Sequence, residues 1–170
     1  MYFDETAWVA IAFLLFFVLV WKKGKNAILS LLDERSLLIE QELINAFAKL
    51  SGDDQWIHVD IDRAFNEMPA GKTIAHGLLS LCISPSLGKN KIHIKNLKHT
   101  LNYGIDKVRF ISPVKVGSFV RLKSKIAEVT IRDDKTVLVR IERMMEIKGF
   151  KKLAMYAETL SLMYSGDSVN

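Results

Sequence analysis

The stretch Gly71 to Ile83 reads GKTIAHGLLSLCI and is almost continuously apolar after Thr73. A segment of this kind has no polar side to give to water, so it is sheltered on most sides by something else. Its length fits a helix, and Pro85 predicts its end. What can shelter it comes after Asn90, where the pattern changes to period two. Val120, Leu122, Ser124 and Ile126 alternate with Arg121, Lys123 and Lys125, and Val137, Val139, Ile141, Met145 and Ile147 alternate with Arg140, Glu142 and Glu146. Asp133-Asp134 separates these runs as a hairpin turn. Lys148-Gly149 opens a second turn before a last strand over Leu153 to Tyr164. Shorter strands are expected near Lys98 to Tyr103 and Lys107 to Phe110, with Ser112-Pro113 and Gly117 as breakers. One apolar helix with long half-apolar strands predicts an α+β domain whose antiparallel sheet wraps around the helix.

The N-terminal segment has a different character. Ala7 to Trp21 contains no charged residue, with Asp4 and Glu5 before it and Lys22, Lys23 and Lys25 after it. Trp8 and Trp21 stand where interfacial aromatics belong. Acidic residues before and basic residues after reverse the order of a secretory signal peptide, so the run reads as an uncleaved transmembrane helix. The lysines place the N-terminus outside and the remaining domain in the cytoplasm, a single-pass anchor in a bacterial inner membrane. Helical spacing continues over Asn26 to Ala48, through Ile28, Leu31, Leu32, Leu38, Ile39, Leu43, Ile44 and Phe47. Ser51-Gly52-Asp53 ends it, and a short helix follows over Asp60 to Glu67 with Asp60 as its N-cap. Residues 1–40 resemble the membrane anchor of subunit b of the bacterial F-type ATP synthase, on Phe3-Asp4-Glu5, Trp8, Trp21-Lys22-Lys23, Ile28-Leu29 and Leu32-Asp33. That family continues into a long charged stalk helix; this chain turns to prolines and strands instead.

A single cysteine, Cys82, excludes an internal disulfide and any cysteine-cluster metal site, and its place on the apolar helix reads as core. The four histidines show no metal-ligand spacing, so no metal is expected. The net charge of +5 suits solvated basic strands. No finger spacing or aromatic RNA-binding motif accompanies it, which argues against nucleic acid.

The chemistry is carried by SGDDQWIHVD, residues 51 to 60, which holds Asp53 and His58 five positions apart. At neutral pH an ordinary aspartate is a carboxylate and an ordinary histidine is mostly neutral, so the pair can accept and relay a proton. Three blocks, SGDDQWIHVDIDRAF, PAGKTIAHGLL and LNYGIDKVRFISPVKVGSFVRLKSKI, resemble in sequence and order the MaoC-like dehydratases, hot-dog-fold relatives of the (R)-specific enoyl-CoA hydratases. The resemblance covers about residues 43 to 164 and implies reversible addition of water to an enoyl thioester. Asp53 would hold and deprotonate the water, and His58 would orient it and exchange a proton at the neighbouring carbon. The N–H of Gly77 would donate to the thioester oxygen, Trp56 and Ile57 would wall the site, and Tyr103, in a turn beside the cleft, would touch substrate. No separate cofactor is implied; coenzyme A or acyl carrier protein enters with the substrate. A homodimer is implied as well. His76 reads as a hydrogen-bonded residue at a helix start. The domain layout expected is an anchor over 1–40, a hot-dog domain over 41–165 lacking the family's first strand, and a tail over 166–170. The alternative is a non-enzymatic membrane protein associated with the ATP synthase membrane sector.

Overall fold

The structure is a computed structural model that describes residues 36–88 and 94–166. The chain runs β1 (Leu37–Leu38), α1 (Gln41–Ser51), α2 (Trp56–Val59), α3 (Ile61–Glu67), α4 (Gly77–Gly88), β2 (Leu97–Phe110), β3 (Phe119–Ile131), β4 (Thr136–Ile147) and β5 (Leu153–Ser165). The strands form one antiparallel sheet in the order β1-β3-β4-β5-β2. Helix α4 lies against this curled sheet. Leu79 and Leu87 share a buried core with Val120, Leu122, Met145, Ile147, Ala154, Met155 and Ala157. This is the hot-dog arrangement that the wrapped-helix pattern predicts.

The period-two runs form strands for the expected reason. Along β3, Val120 and Leu122 are buried while Arg121 and Lys123 face solvent. The hairpin at Asp133 is closed by the Arg132 N–H on the Thr136 carbonyl (2.9 Å) and the Lys135 N–H on the Asp133 carboxylate (2.9 Å). At the next turn Gly149 takes a φ of +81°, a conformation that favours glycine. Asp60 caps α3 as expected, its carboxylate accepting from the Arg63 N–H at 2.9 Å.

Five expectations are corrected. The helical spacing over 26–48 does not give one helix: residues 37–38 pair with β3, Leu37 opposite Val120 and Leu38 opposite Phe119, and α1 begins only at Gln41. The adjoining Ile39 is buried, its N–H on the Ser118 carbonyl and its carbonyl accepting from Gly117. Backbone groups beside a strand edge find ladder partners that a helix start cannot offer. The domain therefore has a first strand, of two residues. Second, α4 starts at Gly77 rather than near Gly71, because Thr73 to His76 is extended between two partners. The Ile74 N–H meets the Ile57 carbonyl (3.0 Å), and the Ala75 N–H meets the Val114 carbonyl (2.7 Å). Third, Pro85 does not end α4; it sits exposed in the final turn, and the helix runs three residues further to Gly88. Fourth, α4 buries only one side. Leu78 and Cys82, four residues apart, are exposed, so the thiol is not core. Fifth, the two short strands before Phe110 are one 14-residue strand. The turn expected around Tyr103 is a register shift within it, between Asn102 and Gly104, of the kind a bulge makes.

The run Ala7 to Trp21, the anchor likeness and the rest of residues 1–35 lie outside the described residues, as do residues 167–170. Among the described residues no helix is long and apolar enough to cross a membrane.

Candidate active site

Gly52 ends α1 in the left-handed region, with φ +76° and its N–H on the Ala48 carbonyl. That cap turns the chain so that Asp53 opens a short loop into α2, a four-residue helix within a stretch that reads as turn. His58 is on this helix and is buried. Its Nδ1 lies 2.7 Å from the Ile74 carbonyl, and its own carbonyl accepts from the Gln41 amide at 2.8 Å. Gln41 in turn accepts from the buried Thr73 hydroxyl. A carbonyl can only accept, so the proton of neutral His58 sits on Nδ1, and Nε2 carries a lone pair.

The second histidine arrives from the extended segment. His76 is 3 % exposed and immediately precedes α4. Its Nε2–H donates to the Asp53 main-chain carbonyl (2.8 Å), and its ring stacks on that of His58 with centroids 3.7 Å apart and planes 25° from parallel. Asp53, His58 and His76 each bring one carboxylate oxygen or ring nitrogen within 4.8 Å of the others. Spacing in the chain hides this, since His76 is distant in sequence from the other two. Stacked rings direct their lone pairs along nearly parallel planes rather than toward one point, so the arrangement as it stands is a poor chelate for an ion.

A cleft of about 290 Å³ opens beside the pair. Its lining includes His58, Gly77, Ser80, Phe110, Pro113 and Val114. Gly77 is the first residue of α4, where N–H groups have no intrahelical partner and the helix dipole favours negative charge. A side chain there has no room: a Cβ on Gly77 would lie 2.6 Å from Cδ2 of the Phe110 ring.

The structure thus puts His58 and Gly77 on one cleft, with the exposed Asp53 next to His58 but outside the cleft lining. Trp56 and Ile57 are half-buried on α2, and neither is among the residues lining the cleft. The Arg63 guanidinium covers the Trp56 ring at 4.2 Å, and the Ile57 carbonyl holds the Ile74 N–H. Tyr103 is 59 % exposed on β2, seven residues from Phe110, or roughly 23 Å along a strand. Phe110, Ser80, Pro113 and Val114 escape a sequence reading. Ser80 alone had a usable signal, a polar residue one turn after Gly77 on an apolar helix.

Comparison with known proteins addresses the same region. Residues 26–146 match the family model described as a MaoC like domain. The chain belongs to the MaoC-like dehydratase family. The 3-hydroxyacyl-thioester dehydratase Z of Mycobacterium tuberculosis is 43% identical to this dehydratase over 122 residues, covering 72% of this chain and 80% of the relative. Nodulation protein N of Rhizobium leguminosarum is 36% identical over 130 residues, covering 75% and 80%. The unliganded R-hydratase PhaJ1 of Pseudomonas aeruginosa superposes with a TM-score of 0.62 at 22% identity, covering 79% of each chain, which shows a shared fold. The protein is an enzyme of the hydratase and dehydratase type. The family match starts at residue 26 and so reaches into the segment assigned above to the anchor. These similarities give no support to the likeness of residues 1–40 to subunit b.

Proposed function

We propose that the dehydratase adds water reversibly across the 2,3-double bond of an enoyl thioester, with Asp53 and His58 handling the water. The observation that carries this reading is the approach of the Asp53 carboxylate to a ring nitrogen of His58, within 4.8 Å, next to a cleft that His58 and Gly77 line and Asp53 adjoins through His58. Water lies between the carboxylate and the bare Nε2 of His58, both acceptors. Its oxygen bonds to C3, its proton passes to the pair, and a proton from the pair goes to C2. The enzyme ends as it began. In this tautomer His58 accepts before it donates, which shifts part of the base role from Asp53 toward the imidazole. Charge developing on the thioester oxygen meets the Gly77 N–H at the start of α4. Coenzyme A or acyl carrier protein comes as part of the substrate, and no separate cofactor takes part.

The test is hydration of crotonyl-CoA by the purified full chain, followed by loss of enoyl-thioester absorbance. Asp53→Asn and His58→Ala each lower kcat by about 10²–10⁴-fold. Undiminished turnover in either variant removes that residue from the reaction.

Two settings complete the proposal. Edge strand β2 exposes Leu97, Leu101, Tyr103 and Ile105, which supports pairing with a second copy; sedimentation at the mass of one chain refutes it. The uncharged run Ala7 to Trp21 supports attachment to a membrane, and recovery of the full chain in the aqueous phase after detergent phase separation refutes that.

A further inference from the structure

We infer that His76 is a positioning residue for the Asp53–His58 pair, an inference that rests on the catalytic reading above. Asp53 is exposed on a turn, and its N–H reaches only the Ser51 hydroxyl at 3.3 Å. An exposed aspartate of this kind samples several rotamers. The His76 Nε2–H holds the Asp53 main-chain carbonyl, and with it the stretch of backbone from which the carboxylate projects. The same ring lies flat on the His58 imidazole at 3.7 Å, while the Ile74 carbonyl holds that imidazole by its edge. One extended segment therefore addresses the whole site: Ile74 orients His58, His76 holds Asp53 and backs His58, and Gly77 offers its N–H.

The other nitrogen of His76 strengthens the argument. Nδ1 is buried without a hydrogen-bond partner. A buried polar atom without a partner costs stability, so an apolar ring of similar size would suit the packing better. Phe47 already packs against the His76 ring at 5.0 Å, an apolar setting. What an apolar ring cannot supply is the donor to Asp53. Its Nε2–H is taken by the Asp53 carbonyl and its ring face by His58, so it acts through those two residues rather than on substrate.

The experiment compares His76→Phe with His76→Gln in the full chain, measuring kcat, KM and thermal midpoint on crotonyl-CoA. Phenylalanine keeps the stacked ring and removes the donor; glutamine loses the ring and keeps a donor at the Nε2 position. The Phe variant is expected to hold its thermal midpoint and KM while kcat falls about 10- to 100-fold, as for a reacting group displaced by an ångström or less. Glutamine is expected to regain most of that kcat. In the Asp53→Asn background, His76→Phe is expected to change kcat no further, because it works through the residue already lost. A Phe variant with full kcat overturns the inference. So does a fall in kcat that only tracks the thermal midpoint in both variants, or full additivity with Asp53→Asn; the last two measurements decide the matter if the Phe variant folds poorly. If Asp53→Asn itself retains turnover, the catalytic reading fails instead, and the two failures are told apart.

Discussion

Gly77→Ala separates the two demands made on that position. The new Cβ would stand 2.6–2.9 Å from three atoms of the Phe110 ring. Carbon atoms pack best at about 3.5–4.0 Å, so the ring must move by roughly 1 Å. Overpacking of this size costs about 1–3 kcal/mol. Phe110 is 48 % exposed at the end of β2, so it can turn toward solvent, which places the cost at the lower end. Alanine also recovers up to about 1 kcal/mol over glycine within a helix. The net loss is about 0–2 kcal/mol, a thermal midpoint lowered by up to about 8 °C. Activity is expected to respond far more, because the methyl group and the displaced ring would intrude where the proposed reaction brings the thioester oxygen to the Gly77 N–H. Losing one such donor costs about 10²–10³-fold in kcat. The assay is thermal unfolding alongside crotonyl-CoA hydration, for Gly77→Ala, Phe110→Ala and the double variant. Removing the ring clears the clash, so the double variant is expected to regain stability relative to the sum of the single changes. A Gly77→Ala enzyme with undiminished kcat refutes the close approach of substrate to this amide.

Two further outcomes test the fold and its electrostatics. Ile39→Ala empties a site only 1 % exposed beside the short first strand and is expected to lower stability by about 2–5 kcal/mol, read from the urea midpoint; a loss below about 1 kcal/mol would deny β1 and its flank a structural part. The Lys123 ammonium and the Arg121 guanidinium hold Glu146 below its ordinary value of 4.5. A depressed carboxylate stabilises the folded state above the unfolded value and loses that contribution as pH falls through the folded one. Glu146→Gln is therefore expected to lie furthest below the native protein above pH 4.5 and to converge with it in acid, followed by urea unfolding from neutral to acidic pH.

Much of this architecture was legible. Alternation over 120–126 and 137–147 found β3 and β4 because part of each strand sets apolar residues on the core, Val120 and Leu122 in β3 and Val139, Met145 and Ile147 in β4, with charged neighbours on the other face. Asp60 announced its helix by capping chemistry. The errors lie where two patterns agree on residues but not on partners. Leu37, Leu38 and Ile39 satisfy helical spacing, yet the open edge of β3 offers them a ladder. Leu78 and Cys82 are as apolar as Leu79, so the sequence of α4 cannot say which side is buried. At the candidate site, local spacing and family blocks pointed to Asp53 and His58, whose carboxylate and ring nitrogen lie within 4.8 Å. The place of His76 depends on a long-range fold-back that brings residues 73–76 beside α2, and no local pattern encodes it. Tyr103 and Phe110 show the converse. A strand read as two pieces put the aromatic residue of the wrong piece beside the cleft.

The strands and the helix they shelter differ in reach. Twelve residues of α4 extend about 18 Å, whereas thirteen residues of β3 extend about 43 Å. Only Val120 and Leu122 of β3 are buried, both at the end that adjoins Phe110, Val114 and Ala154. Beyond the register shift at Ile126/Glu128, both faces of β3 meet water. Amide hydrogens along a single strand should then exchange at graded rates, fast toward Ile131 and slow toward Val120. Fraying begins at the tip remote from the candidate cleft, leaving the end beside His58 and Gly77 clamped while the far end breathes.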